Sequence, residues 1–187
     1  PISFGSILVP EATKFLSDSR WYVVRNMVAL LRAVNDRTSL PEIRRCAQHP
    51  DLRVRLEAIK ALFAVDTSVP QALLEHAIND PDPKIAETAI GLVGSYGIKE
   101  AVGPLLRILA GRNVFGKKRS LRLRAIKSLG DIGIPHALTG LQLFFNDSVL
   151  PWPPAEERRA AFESLAGYPA DARQGLVQKG LKSRDLE

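Results

Sequence analysis

The sequence predicts an all-α protein, a right-handed α-solenoid of about five helical hairpins. Three observations predict this class. A nine-residue motif occurs five times in the 187 residues, second apolar segments lie between its copies, and no stretch shows the signals of a strand. Because one hairpin cannot bury both of its apolar stripes, stacked hairpins share a continuous core and wind into a superhelix.

The motif copies start at Val23, Val54, Ile85, Leu121 and Glu157, at spacings of 31, 31, 36 and 36 residues. In the second copy, VRLEAIKAL, the apolar residues fall at i, i+4, i+5 and i+8, which places them on one face of a helix. The fifth copy is weaker, because it opens on a glutamate. The expected inward positions are Val23, Met27, Val28 and Leu31; Val54, Ala58, Ile59 and Leu62; Ile85, Ala89, Ile90 and Val93; and Leu121, Ala125, Ile126 and Leu129.

Each motif is followed by a second apolar segment, such as SLPEIRRCAQ or SVPQALLEHAIN, which supplies the other helix of the hairpin. Several of these segments have proline near the first turn, where the missing N–H of proline costs nothing. Turns such as HPDLR place an aspartate, here Asp51, before the next motif helix. Its carboxylate can accept a bond from the free amides of the first turn and suits the helix dipole.

The stretch HPDLRVRLEAIKAL, with Asp51, Val54, Arg55, Ala58 and Leu62, resembles HEAT repeats, in particular the short HEAT-like units of bacterial proteins, including those of the PBS-lyase type. The resemblance runs over nearly the whole chain and implies the solenoid fold. The arginine that this family usually has after the first motif residue is present at positions 55, 122 and 158. Positions 24 and 86 carry Val and Ala, so that a ladder of arginines would be interrupted.

The chain contains no linker long enough to separate two domains, so we expect one HEAT-like domain over residues 1–187. The last residues, LKSRDLE, align with AQHPDLR and stop where a further motif helix would begin. We therefore expect this domain to be a fragment of a longer protein. There is no signal peptide or membrane-length apolar run, and we expect a cytoplasmic location without membrane contact.

The net charge of +6 is concentrated in residues 111–130, GRNVFGKKRSLRLRAIKSLG, which carry seven cations and no acid. The longer repeat spacing enlarges the turn before the fourth motif helix, and insertions of this kind often lie on a binding face. We expect Arg122, Arg124 and Lys127 on or near the surface. Lys117, Lys118 and Arg119 lie at the helix start, where cations oppose the helix dipole and a bound anion would offset the repulsion. A solvated charged face is the more common explanation of such a run.

The turn before the fifth motif helix is also enlarged and contains Trp152 among prolines, SVLPWPPAEE. Aromatic residues on a surface are frequent binding hot spots. Our candidate partner-binding residues are therefore Lys117, Lys118, Arg119, Arg122, Arg124, Lys127 and Trp152.

We predict a non-enzymatic scaffold that binds a protein partner through a concave groove and through the enlarged turns 111–118 and 146–155. The alternative is a nucleic-acid-binding domain that uses the basic segment 112–127. Against it, exposed motif-helix positions elsewhere mix both signs, whereas phosphate binding favours a basic stripe. The oligomeric state and the identity of the partner are left open.

Catalytic patterns are absent from the sequence. Cys46 is the only cysteine, lies on an apolar helix face and is expected to be packed in the core. The three histidines are scattered and none is followed by glutamate, the pair by which some HEAT-like proteins bind iron. We therefore predict no metal site, no cofactor and no enzymatic activity.

Overall fold

The described part of the chain consists of helices joined by turns. The structure is a computed structural model, and it describes residues 4–66, 69–111, 119–146 and 153–181. No strand occurs in these ranges, so the predicted all-α fold of helical hairpins is confirmed. The α-helices are α1 Phe4–Lys14, α2 Trp21–Val34, α3 Leu40–Cys46, α4 Leu52–Val65, α5 Gln71–Ile78, α6 Pro83–Ser95, α7 Val102–Ala110, α8 Arg119–Ile132, α9 Leu138–Leu141, α10 Ala155–Ser164 and α11 Ala170–Leu181.

The chain divides into two compact units, residues 1–89 and residues 90–187, with the division inside α6. The five motif copies lie on α2, α4, α6, α8 and α10. Each of these helices is followed by the second helix of its hairpin, as the spacing predicts. One domain over residues 1–187, cut from a longer protein, stays a prediction.

In the first unit, the motif stripe of α4 is the core of the hairpin stack. Val54, Ala58, Ile59 and Leu62 are at most 1% exposed. Ahead of them, the Asp51 carboxylate accepts a hydrogen bond from the backbone N–H of Arg53 at 2.9 Å, the expected cap of the helix. Both the inward face and the start of α4 are therefore where the sequence places them.

The buried stripe of α2 keeps two of the four predicted residues, Val28 and Leu31, and adds Val24. Val24 is fully buried together with Val28 and Leu31, whereas Val23 and Met27 are half-buried. Val24 stands at the position that Arg55 has in α4. A valine can be buried there without a counter-charge, so the packed stripe of α2 runs through i, i+4 and i+7 from Val24.

In the second unit, Ala125, Ile126 and Leu129 of α8 are fully buried, and Leu121 is half-buried. Tyr168 closes this core from the turn after α10, where its hydroxyl donates to the carbonyl oxygen of Leu129 at 2.8 Å. Burial raises the pKa of this hydroxyl far above its ordinary value, which keeps it a neutral donor.

Glycines allow neighbouring motif helices of the second unit to pack backbone against backbone. A Cβ placed on Gly94 of α6 would lie 2.8 Å from Cα of Ser128 in α8. A Cβ on Gly130 of α8 would lie 2.7 Å from Cβ of Ser164 in α10. Corresponding positions in the first unit hold Arg32 and Phe63. The glycines thus set the close spacing of α6, α8 and α10.

The expectation for Cys46 is confirmed. The residue is 5% exposed at the end of α3, and desolvation raises the pKa of its thiol to about 11. At neutral pH it is a small packed thiol. Within the described ranges, no three His, Cys, Asp or Glu side chains are grouped as a metal would require. Nor does any described helix have the length and apolar character to cross a membrane.

Candidate partner-binding surface

Arg122 is buried, so the expectation that it lies on or near the surface is wrong. The residue is only 6% exposed. Its Nε and Nη2 each donate to a carboxylate oxygen of Glu157 at 2.9 Å. Its Nη1 donates to the carbonyl oxygens that end α7, those of Ile108 at 3.2 Å, Leu109 at 2.7 Å and Gly111 at 3.1 Å. A side chain with these partners stabilises the fold.

The other half of this ion pair explains the weak fifth motif copy. Glu157 is 0% exposed and lies in the first turn of α10, at the position where the other copies have an apolar residue. A buried carboxylate requires a charged, hydrogen-bonded partner. The arginine of one copy and the glutamate of the next were therefore a readable signal of a buried pair.

Arg119, at the start of α8, is exposed as expected, but it also has an acidic neighbour. Its guanidinium forms an ion pair with the carboxylate of Glu156 on α10. Both side chains remain about half exposed, so the pair adds little stability. Its effect is on charge, because the first turn of α10 compensates two cations of the basic segment, Arg119 and Arg122.

Arg124 and Lys127 are the cations of α8 that remain exposed without an ion pair to any described residue. They are three residues apart and therefore close on the helix surface. The guanidinium of Arg124 extends over α6, where a Cβ on Gly91 would lie 3.1 Å from its Nε. The absence of a side chain on Gly91 makes room for it.

A groove of about 600 Å³ lies between α8 and α10, with Lys127 in its lining. On the α8 wall it is lined by Leu123, Lys127 and Asp131, and on the α10 wall by Ala160 and Glu163. The remaining lining residues are small: Gly130, Ser164, Ala166 and Gly167. The groove exists because these short side chains leave space between helices that are otherwise in close contact.

The remaining predicted contacts lie outside the described residues. They are Lys117 and Lys118 in the first enlarged turn and Trp152 in the second. Of the candidate set, the structure therefore brings Arg124 and Lys127 to one exposed face, pairs Arg119 and buries Arg122. Leu123, Asp131, Ala160 and Glu163 were not among the candidates, because an ordinary leucine, alanine or acid on a helix carries no sequence signal of a site.

Stacked helical hairpins with an apolar spine define the class of this chain, an α-solenoid. The family model described as HEAT repeats matches residues 9–77, which confirms the resemblance to the HEAT-like repeat family. HEAT repeats generally act as protein-interaction scaffolds, and the family is typically non-catalytic.

No curated protein matches the chain. Among solved structures, the chain is similar to an engineered protein determined by the Northeast Structural Genomics Consortium. The two share 16% sequence identity, the match covers 92% of this chain and 85% of that one, and the TM-score is 0.57. At this identity the likeness supports the fold alone.

Proposed function

We propose that the chain is a non-catalytic protein-interaction module whose partner binds on the α8–α10 face. One observation carries the proposal: Arg124 and Lys127 are exposed on α8 without a described ion-pair partner, and Lys127 lines a groove of about 600 Å³, while their neighbours Arg119 and Arg122 are compensated. Arginine is enriched among the residues that supply most of the binding energy of an interface. Two uncompensated cations attract a partner with acidic side chains and set its orientation.

The predicted contacts in the enlarged turns, Lys117, Lys118 and Trp152, remain part of this proposal, together with Arg119 at the edge of the face. Arg122 is not among the proposed contacts, because it is buried. Its role is to join the end of α7 to the start of α10 and so to hold the helices that border the groove.

The described residues do not favour phosphate binding as the function of this face. Arg122 is buried, Arg119 is paired, and the acidic side chains of Asp131 and Glu163 line the same groove as Lys127. A nucleic acid laid along α8 would bring its phosphates close to these carboxylates. Binding driven by counterion release needs several uncompensated cations along one track.

The test is affinity capture with the Arg124→Glu/Lys127→Glu variant. The matched control, Arg25→Glu/Lys84→Glu, reverses two exposed cations of the first unit that also lack a described ion pair. Proteins captured by the wild type, counted by quantitative mass spectrometry, should be lost with the first variant and kept with the second. Equal capture by all three proteins would reject the α8–α10 face as the binding site.

A gel-shift assay at low salt examines the alternative function directly. With duplex and single-stranded probes of mixed sequence, we expect no shift by the wild-type protein. A shift that weakens steeply with salt, and that disappears in Arg124→Glu/Lys127→Glu, would replace the protein partner by a nucleic acid.

A further inference from the structure

The groove between α8 and α10 carries its chemical groups in a fixed order along α8. Leu123, Lys127 and Asp131 line it at i, i+4 and i+8, so they form one ridge, inclined by about 26° to the helix axis. Leu123 is half-buried, whereas Lys127 and Asp131 are exposed. A ligand lying along this ridge would meet, in sequence, an apolar contact, a positive charge and a negative charge.

The spacing of the ridge matches an extended peptide. Four residues of α-helix rise about 6 Å. Alternate residues of an extended strand, which point to the same side, are about 6.6 Å apart. A five-residue extended segment can therefore place three side chains opposite Leu123, Lys127 and Asp131, with the two intervening side chains directed to solvent.

The opposite wall favours an extended occupant over a helical one. Glu163 on α10 lines the groove across from Lys127, and neither side chain has an ion pair with a described residue. An extended backbone between the two walls offers a carbonyl oxygen to the ammonium group and an N–H to the carboxylate. In a helical occupant the backbone groups are already bonded to one another.

We infer that the groove binds an extended segment of the partner in which an apolar, an acidic and a basic side chain occupy alternate positions, in that order from Leu123 to Asp131. This inference rests on the proposed function and specifies its ligand. The acidic side chain meets Lys127, the basic one meets Asp131, and the apolar one packs on Leu123 and Ala160.

The probes are acetylated, amidated pentapeptides added to the ¹⁵N-labelled chain and followed by NMR. Leu-Ser-Glu-Ser-Arg and its reversal, Arg-Ser-Glu-Ser-Leu, present the inferred order in the two chain directions. Leu-Ser-Arg-Ser-Glu has the composition of the first peptide with the charges exchanged. We expect one of the first two to shift the amide signals of Leu123, Lys127 and Glu163, with an affinity about tenfold or more above that of the exchanged peptide.

A charge reversal in the protein provides the matching test. Asp131 is exposed, so Asp131→Lys should leave the fold intact. It should also move the preference to the same peptide with glutamate in place of arginine. Equal binding of all peptides, no binding at all, or an unchanged preference in Asp131→Lys would overturn the inference.

A helical competitor separates the two backbone conformations. An alanine-rich peptide with Leu, Glu and Arg at i, i+4 and i+8 presents the same side chains on a helix. If it binds and the pentapeptides do not, the extended ligand is wrong. If no peptide binds but Arg124→Glu/Lys127→Glu still loses its protein partner, the inference fails and the proposed function stands.

Discussion

Residues 1–89 and residues 90–187 each contain an arginine directly after the first apolar residue of a repeat motif, Arg55 and Arg122. Arg55 donates to carbonyl oxygens of the turn before α4, Arg122 donates to carbonyl oxygens at the end of α7, and both bind a carboxylate through two nitrogens. The side chains of Arg55 and Asp80 are 14% and 1% exposed, whereas those of Arg122 and Glu157 are 8% and 0% exposed. The second unit therefore encloses its pair more completely.

The two carboxylates also differ in what else supports them. Asp80 lies in the turn before α6, and one of its oxygens accepts a second bond, from the backbone N–H of Asp82 at 2.9 Å. Glu157 lies within α10, and Arg122 is its donor among the described residues. The arginine at this motif position therefore has two roles. In the first unit it adds to the support of a carboxylate in a turn, and in the second it compensates a buried carboxylate within a helix.

The largest effect should come from Arg122→Leu. The substitution leaves the carboxylate of Glu157 buried without a described partner, and breaking a buried pair in this way costs about 3–5 kcal/mol. The free energy of unfolding, measured by urea denaturation, should fall by that amount. A loss below about 1 kcal/mol, the range of exposed ion pairs, would contradict the buried geometry.

The control is the double variant Arg122→Leu/Glu157→Leu. Replacing both charges by apolar side chains removes the unpaired carboxylate, and such replacements of buried pairs are often close to neutral. The double variant should therefore be more stable than the single one. If it is less stable, the single substitution acts through the carbonyl bonds at the end of α7 and not through Glu157.

Arg55→Leu should have a smaller effect. Asp80 keeps its bond to the N–H of Asp82, so the cost is that of lost charged hydrogen bonds, about 1.5–3 kcal/mol. The same denaturation experiment checks it. Equal losses for Arg55→Leu and Arg122→Leu would show that the different support of the two carboxylates has no energetic consequence.

A pair of glycine substitutions sharpens the comparison of helix packing. Gly130→Ala should destabilise by about 1–3 kcal/mol, because its Cβ would meet Ser164 at 2.7 Å and the close contact of α8 with α10 would have to open. Gly175→Ala on α11 meets no atom within 4 Å and should stabilise by about 0.5–1 kcal/mol, the ordinary gain of alanine in a helix. Thermal unfolding of both variants measures the two changes in stability. Two changes of the same sign would refute the packing argument.

The helix pattern and most of the core could be predicted because repeat copies are compared with one another. Ala58 and Ala125 occupy equivalent positions, and both are fully buried as expected. Arg122 could not be placed in this way. Helical periodicity alone assigns charged residues to the surface. The carboxylate that compensates the buried Arg122 guanidinium belongs to Glu157, which is 35 residues away in the next copy. The groove was missed for a related reason, since it depends on the small side chains of two helices.

The smallest effect is expected for the exposed ion pair of Asp51 and Arg53, close to the buried pair of Arg55 and Asp80. Asp51 accepts from Arg53 through both carboxylate oxygens, at 3.0 and 2.7 Å, and the Arg53 guanidinium lies over the ring of Trp21, 3.3 Å from its centroid. The hydrogen bonds to Arg53 lower the pKa of Asp51 from 3.8 to about 2. Because the folded pKa is the lower one, the stabilisation is present above about pH 4 and is lost as the pH falls from about 4 to about 2.

Arg53→Ala should therefore raise the pKa of Asp51 towards its ordinary value of 3.8, as read from ¹³C NMR of the carboxyl carbon during an acid titration. The stability at neutral pH should change little, since Asp51 still caps α4 through the backbone N–H of residue 53 and exposed pairs contribute weakly. A wild-type midpoint close to 4 would show that the bidentate contact is not maintained in solution. In that case the arginine over Trp21 would be free to bind a partner, and the contrast with the enclosed Arg122 would become larger.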